Sequence, residues 1–310
     1  MIWGGSQLRE RLGKAIPSDK TGESWELSGV ADNVSVVSNG EYAGCTLDEW
    51  IALAPEQTLG KKNVARTGSA FPLLIKFIDA CDNLSVQVHP NDEQARPFNS
   101  LGKTEMWYIL NAQQGATLIS GFAQDVSAQE YAKAVENNTL EQILQHHPVQ
   151  RGDVFFIPAG RVHAIGKGIL LLEIQQSSNI TYRIFDYNRK DAQGNSRELH
   201  TRQAMQVIDY KAQHPAQSTA SPAINQPANL AACKYFTTNL LKIDQPTQRD
   251  NSVHQSFVVY IGTQGSTQIE YAAGKFETLN EGETILLPAA LAHVQLAPNA
   301  GLAEVVEVYV

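Results

Sequence analysis

The chain has 310 residues, 43% apolar and 18% charged, enough for one large domain or two smaller ones with cores of their own. No run approaches the roughly 18–20 apolar residues that a membrane-spanning helix needs, which excludes a membrane partner, and the start, Met1-Ile-Trp-Gly-Gly-Ser6, lacks the basic-then-apolar order of a signal peptide. With 24 basic against 32 acidic residues, a net charge of −8 and no basic patch, nucleic acid is excluded as a partner. Three distant cysteines (Cys45, Cys81, Cys233) without a CxxC pair fit a reducing cytoplasm rather than a disulfide scaffold.

In chain order, Thr46-Leu-Asp-Glu49 is a capping-box pattern that predicts a helix start. Short apolar runs at 71–78, 84–88 and 106–110 predict strands. A second capping box, Ser127-Ala-Gln-Glu130, opens a helical stripe through Tyr131, Val135, Leu140, Ile143 and Leu144 that is expected to last until His147-Pro148. Strands are predicted again at 154–157 and 169–174. The segment 211–230 holds one charge, three Pro and five Ala and reads as a linker or long loop. Further strands follow at 257–261 and 284–287. The expectation is a mainly β chain with a few short helices: an N-terminal domain at 1–210, the linker at 211–230 and a C-terminal domain at 231–310.

An internal repeat supports the division. Gly152-Asp-Val-Phe-Phe-Ile-Pro-Ala-Gly-Arg-Val-His163 recurs, at a constant offset of 130 residues, as Gly282-Glu-Thr-Ile-Leu-Leu-Pro-Ala-Ala-Leu-Ala-His293. A turn glycine, an apolar strand, a proline turn and a histidine resemble the second motif of the cupin barrel, so two cupin-type jelly-roll barrels are expected.

In Leu84-Ser-Val-Gln-Val-His89, alternation places Ser85, Gln87 and His89 on one strand face. That face belongs either to a wet edge strand or to one that binds something. Sixteen residues on, Glu105 heads another strand, and His163 ends the repeat motif. Two imidazoles and a carboxylate suit Zn²⁺, Fe²⁺ or Mn²⁺, with Gln87 as a fourth donor. The second copy keeps His293 without such neighbours, so one metal site is expected.

These segments resemble the short form of the type I mannose-6-phosphate isomerase (phosphomannose isomerase) family. The matching stretches are 22–26, 73–79, 84–92, Gly102-Lys-Thr-Glu105, 152–164, Glu173-Ile-Gln-Gln-Ser-Ser178, Thr181-Tyr-Arg-Ile-Phe-Asp186 and Arg197-Glu-Leu-His200. The resemblance implies that the N-terminal cupin is catalytic and the C-terminal one degenerate. It implies one zinc per chain held by His89, Glu105 and His163, with Gln87 as the fourth ligand. Arg183 matches the active-site arginine, and Lys103 a lysine that meets the substrate's phosphate or hydroxyls. The implied activity is interconversion of mannose 6-phosphate and fructose 6-phosphate through a cis-enediol, by a cytoplasmic monomer or homodimer. A mononuclear iron cupin oxygenase and a non-catalytic sugar-binding regulatory cupin are the alternatives. An ion pair with Glu173 or Asp186 is the structural alternative for Arg183.

Overall fold

The structure, a computed structural model, describes residues 1–190, 193–212 and 217–310. The chain divides into two compact units that are not contiguous in sequence. The first comprises Met1–Arg9, Ala15–Ser24 and Lys76–Thr219, and the second Glu10–Lys14, Trp25–Ile75 and Ala220–Val310.

The strands of the first half are β1 (Glu23–Ser28), β2 (Leu73–Ala80), β3 (Val86–Val88), β4 (Glu105–Ala112), β5 (Thr117–Phe122), β6 (Leu144–Pro148), β7 (Asp153–Ile157), β8 (His163–Ala164), β9 (Ile169–Gln176), β10 (Tyr182–Phe185) and β11 (Gln217–Thr219). They form a six-stranded sheet, β1-β2-β9-β4-β7-β11, and a five-stranded sheet, β10-β3-β8-β5-β6. The second half adds β12 (Pro227–Ala232), β13 (Thr237–Ile243), β14 (Thr247–Asp250), β15 (Val258–Gln264), β16 (Ser266–Ala272), β17 (Lys275–Asn280), β18 (Thr284–Leu287), β19 (His293–Pro298) and β20 (Ala303–Tyr309). Their sheets run β12-β13-β20-β15-β18 and β14-β19-β16-β17. The mainly β class with two jelly-roll barrels is the fold observed, and every predicted strand falls on an observed one. Among the described residues no helix is long and apolar enough to cross a membrane.

Both capping boxes form. Thr46 caps the helix Leu47–Leu53 with Glu49 reaching back, and Ser127 caps Ala128–Glu136 with Glu130. The second helix is shorter than its apolar stripe predicts. It stops at Asn137, Asn138 adopts a left-handed conformation (φ 55°), Leu140–Ile143 resumes as a single 3-10 turn, and Leu144–Pro148 becomes β6 instead. Asparagine tolerates that conformation and so ends a helix that hydrophobic periodicity alone would extend. In the segment 211–230, Gln217–Thr219 pairs with β7 and Pro227–Ala232 with β13; residues 213–216 lie outside the described residues.

The first unit has two apolar layers. One, between the sheets, includes Ile78, Ala80, Trp107, Ile109, Leu118, Phe155, Ile165, Ile169 and Leu171. The other includes the opposite face of β3 (Val86, Val88) with Ile119, Ala164 and Ile184, and residues of the helices Ala128–Glu136 and Thr201–Val207. Each buried side chain of this kind contributes about 1.5–3 kcal/mol. Alternation then dictates where polar side chains go. On β9, Ile169 and Leu171 share their face with Glu173 and Gln175; on β4, Ile109 and Trp107 share theirs with Glu105. On the facing sheet, Gln87 and His163 lie opposite the face carrying Val86, Val88 and Ala164. The space between the sheets is therefore apolar at one end and polar at the other.

Candidate active site

The polar end is assembled by strand register. Gln87 on β3 pairs with His163 on β8 and with Arg183 on β10, and His163 pairs with Ser120 on β5, so the four form one row across the five-stranded sheet. From the other sheet, Glu105 is paired with Gln175 and Trp107 with Glu173. His89 follows β3 directly. His89, Glu105 and His163 are all buried, and their ligand atoms lie within 4.8 Å of one another; among the described residues no other group of three such side chains is found.

The protonation states follow from geometry. His89 Nδ1 lies 2.9 Å from the Ile180 carbonyl and His163 Nδ1 2.8 Å from the Arg161 carbonyl. A carbonyl only accepts, so each Nδ1 carries the proton and each neutral ring turns a bare Nε2 lone pair inward. The two Nε2 atoms are 3.1 Å apart, and Glu105 Oε1 is 3.3 Å from His163 Nε2 with no hydrogen-bond donor of its own. Three electron-rich atoms thus converge with no proton between them, an arrangement that a divalent cation resolves. Lys103, itself buried, sends its ammonium to the edge of the cluster, 2.8 Å from Glu105 Oε2 and 3.2 Å from His89 Nε2. Gln87 Nε2 lies 3.3 Å from His163 Nε2. A half-turn of that amide would present its oxygen inward without changing the packing.

Burial sets the titration. It drives the His163 pKa down to about 3 and that of His89 well below its ordinary value, with Lys103 adding to both depressions. Burial also pushes the Glu105 carboxyl upward, and Glu173 adds to this against the pull of Lys103. For Lys103, burial favours the neutral amine, but Glu105 and Glu173 outweigh it and the pKa rises. An unfolded histidine takes up its proton near pH 6.5, whereas these two stay neutral when folded. The unfolded chain therefore gains two protons that the native state refuses as pH falls below 6.5. Glu105 opposes this with one proton over part of the range, leaving a net loss of roughly 1.4 kcal/mol per pH unit. Thermal melts of metal-stripped protein are expected to show a falling Tm between pH 6.5 and 4.5, and a flat profile contradicts neutral imidazoles.

Two glycines permit the construction. Gly160, at φ 88°, donates its N–H to the His89 carbonyl, and the next residue, Arg161, supplies the carbonyl that orients His163, so one turn holds both rings. Gly102 lies so close to the turn after His89 that an added Cβ would sit 2.6 Å from the Asn91 carbonyl carbon and from the Asp92 nitrogen. Gly102→Ala is expected to cost about 1–3 kcal/mol in a denaturant melt and to lower activity by displacing Lys103 and Glu105. Unchanged stability would mean that the loops separate freely.

Arg183 does not take the ion pair that its structural alternative requires. Its Nε donates to Ser85 Oγ (3.3 Å) and its Nη1 to the Glu198 carbonyl (2.9 Å), while Asp186 is engaged by Arg189 and Arg197. Burial and the neighbouring Arg197 pull its pKa below the ordinary value, yet a guanidinium stays charged. Sequence reasoning missed the layer behind the ligands. Trp107 packs edge-on against the His163 ring (centroids 5.4 Å) and donates its indole N–H to Glu173 (2.9 Å), which also lies 3.5 Å from Lys76. The signal was present: Lys76 and Glu173 are charges set inside the apolar runs LLIKFIDA and ILLLEIQQ.

The second unit fills the corresponding interior differently. The Tyr260–Glu307 pair repeats the Trp107–Glu173 register, but Glu307 is neutralised by Arg249 (2.8 Å) and accepts from Asn239 (2.9 Å) and the Tyr260 hydroxyl (3.1 Å). His293 is exposed, 3.5 Å from Asp250. The turn matching Pro158-Ala-Gly160 is capped there, Ala289 and Ala290 donating to the carbonyls of Thr58 and Gln57.

Residues 1–119 match the family model described as phosphomannose isomerase type I, catalytic domain, a stretch that includes Gln87, His89, Lys103 and Glu105. Over 294 residues, 93% of this chain and 89% of the relative, the sequence is 38% identical to the mannose-6-phosphate isomerase of Streptococcus mutans. It is 45% identical over 210 residues to mannose-6-phosphate isomerase ManA of Bacillus subtilis, covering 67% of this chain and 64% of that one. The crystal structure of the mannose 6-phosphate isomerase from Bacillus subtilis matches with a TM-score of 0.86 at 30% identity, over 100% of this chain and 96% of that chain. This chain is an enzyme of the type I mannose-6-phosphate isomerase family.

Proposed function

We propose that the chain interconverts mannose 6-phosphate and fructose 6-phosphate, with one zinc ion held by His89, Glu105 and His163 and with Gln87 as fourth donor. The observation that carries the metal is the convergence of two unprotonated Nε2 atoms and an undonated carboxylate oxygen in a buried space. The donor set is borderline in hardness and suits a redox-inert ion that tolerates a fifth ligand, which favours zinc.

Isomerisation removes the C2 proton, shifts the electron pair into a C1–C2 double bond and returns a proton to C1, through a cis-enediol. Negative charge develops on the O1 and O2 oxygens meanwhile. A bound divalent ion supplies Lewis acidity that spreads this charge. The chain's own residues bind and orient the substrate and add positive charge at its oxygens. Lys103 keeps its proton at Nζ, held there by Glu105 and Glu173, and donates it as a hydrogen bond to a substrate oxygen. Arg183 provides a fixed cationic donor in the same row as Gln87 and His163, positioned by Ser85 and Glu198. Together they give an acidic chain a local positive site for an anionic sugar phosphate. Trp107 fixes the plane of the His163 ring. The three cysteines are free thiols, which supports a cytoplasmic location. A coupled assay for fructose 6-phosphate formed from mannose 6-phosphate tests the reading, and absence of turnover by zinc-loaded protein would contradict it.

A further inference from the structure

We propose that Asp92 is a positioning residue: through Gln176 and Gly102 it fixes the spacing between the strand that carries Glu105 and the turn that carries His89. The inference rests on the metal-dependent reading above and adds a residue pair to it.

Asp92 is the first residue of the short helix Asp92–Ala95, where a carboxylate commonly serves the helix's own N–H groups. Here that duty is already discharged. Asn91 caps the helix by accepting from Gln94 N, and Gln94 reaches back to Asn91 N. The Asp92 carboxylate turns elsewhere. Its Oδ1 accepts from Gly102 N (3.0 Å) and from Gln176 Nε2 (2.9 Å). Gln176, buried at the end of β9, uses its Oε1 to accept from Thr104 N (2.9 Å), and its own N–H donates to the Thr104 carbonyl (3.2 Å). Lys103 N donates in turn to the Pro90 carbonyl (3.0 Å). Asp92 and Gln176 therefore clamp the segment Gly102–Glu105 on both sides. β9 and β4 belong to the six-stranded sheet, whereas His89 extends from β3 of the facing sheet. The clamp therefore ties the two sheets together at the end where their ligands meet. Outer partners of this kind are typically worth about 10–100-fold in metal affinity or activity, because a site loses function when its groups drift by about 0.5 Å.

The test uses full-length Asp92→Ala, Gln176→Glu and the double variant Asp92→Asn/Gln176→Glu. Gln176→Glu keeps the acceptor for Thr104 N but sets a carboxylate against Asp92, so it breaks the Asp92 contact while leaving Thr104 satisfied. In the double variant the amide introduced at position 92, once turned about χ2, can donate its NH2 to the carboxylate introduced at position 176 while its oxygen keeps accepting from Gly102 N–H, which restores the contact. The readouts are zinc affinity by competition with a chromophoric chelator, kcat and KM for mannose 6-phosphate, and Tm. Asp92→Ala and Gln176→Glu are each expected to weaken zinc binding by about 10–100-fold and to lower kcat with KM little changed, and the double variant is expected to recover most of both. Wild-type zinc affinity and kcat in the single variants, with only Tm reduced, would overturn the proposal and leave Asp92 a stabilising contact. Failure of the unmodified protein to bind zinc would instead overturn the reading beneath it, before any variant is compared.

Discussion

Glu105→Gln is expected to abolish isomerisation, lowering kcat/KM by at least about 1,000-fold, which corresponds to some 4 kcal/mol of lost transition-state stabilisation. The substitution is nearly isosteric, and the amide oxygen still accepts from the Lys103 ammonium 2.8 Å away. What disappears is the single anionic donor among three converging ligand atoms. The variant is left with two neutral imidazoles and two amides, a set too weak to hold a dication against solvent. The fold should survive at reduced stability: the buried Lys103 ammonium loses its 2.8 Å carboxylate partner, which is destabilising, but keeps the amide oxygen and Glu173. Metal content and turnover should therefore fall together while the circular dichroism spectrum stays near wild type, with Tm lowered by the lost partner of Lys103. Activity within about tenfold of wild type, in protein shown to be metal-free, removes Glu105 from the mechanism.

Arg183→Ala separates a different pair of roles. Among the described residues the guanidinium hydrogen-bonds only to Ser85 Oγ and the Glu198 carbonyl, so its loss strips no ligand and leaves no buried counterion. Zinc should stay bound with unchanged stoichiometry. Removing one fixed donor from a developing oxyanion typically costs about 10²–10³ in kcat, or 2.7–4 kcal/mol, and that is the loss expected here. Arg183→Lys should recover little of it, since an ammonium cannot reproduce the planar fork that Ser85 and Glu198 hold. If Arg183→Ala instead lowers Tm steeply while folded molecules turn over at the normal rate, the arginine is structural.

Much of this site was legible in the sequence because strand alternation is simple. Once 84–88 is a strand, Ser85, Gln87 and His89 must share a face, and the repeat 152–163 carries its histidine to a barrel strand. The class of donor at each position was readable too. Their convergence came from the family resemblance and not from spacing, because it depends on register between strands distant in sequence, such as Gln87 opposite both His163 and Arg183. The roles of Lys76, Trp107 and Glu173 were hidden for the same reason: a charge inside an apolar run announces a partner without naming it. Lys103 came from the resemblance alone, and nothing in its loop sequence announced that it is buried with its ammonium 2.8 Å from Glu105. The helix at 128–136 was overextended because apolar spacing continues past Asn137-Asn138, where a left-handed asparagine ends the helix and the chain goes on to form β6.

The proposed metal-dependent isomerase centre consists of buried His89, Glu105 and His163. It is tested most directly by assaying purified protein with mannose 6-phosphate before chelation, after chelation and after return of zinc. Fructose 6-phosphate formation is expected to be lost with the chelator and restored by about one zinc per chain. Turnover that persists in protein verified to be metal-free would contradict it. So would zinc bound at one per chain without any turnover, an outcome that points to a sugar-binding protein that kept the barrel and its ligands but not the reaction.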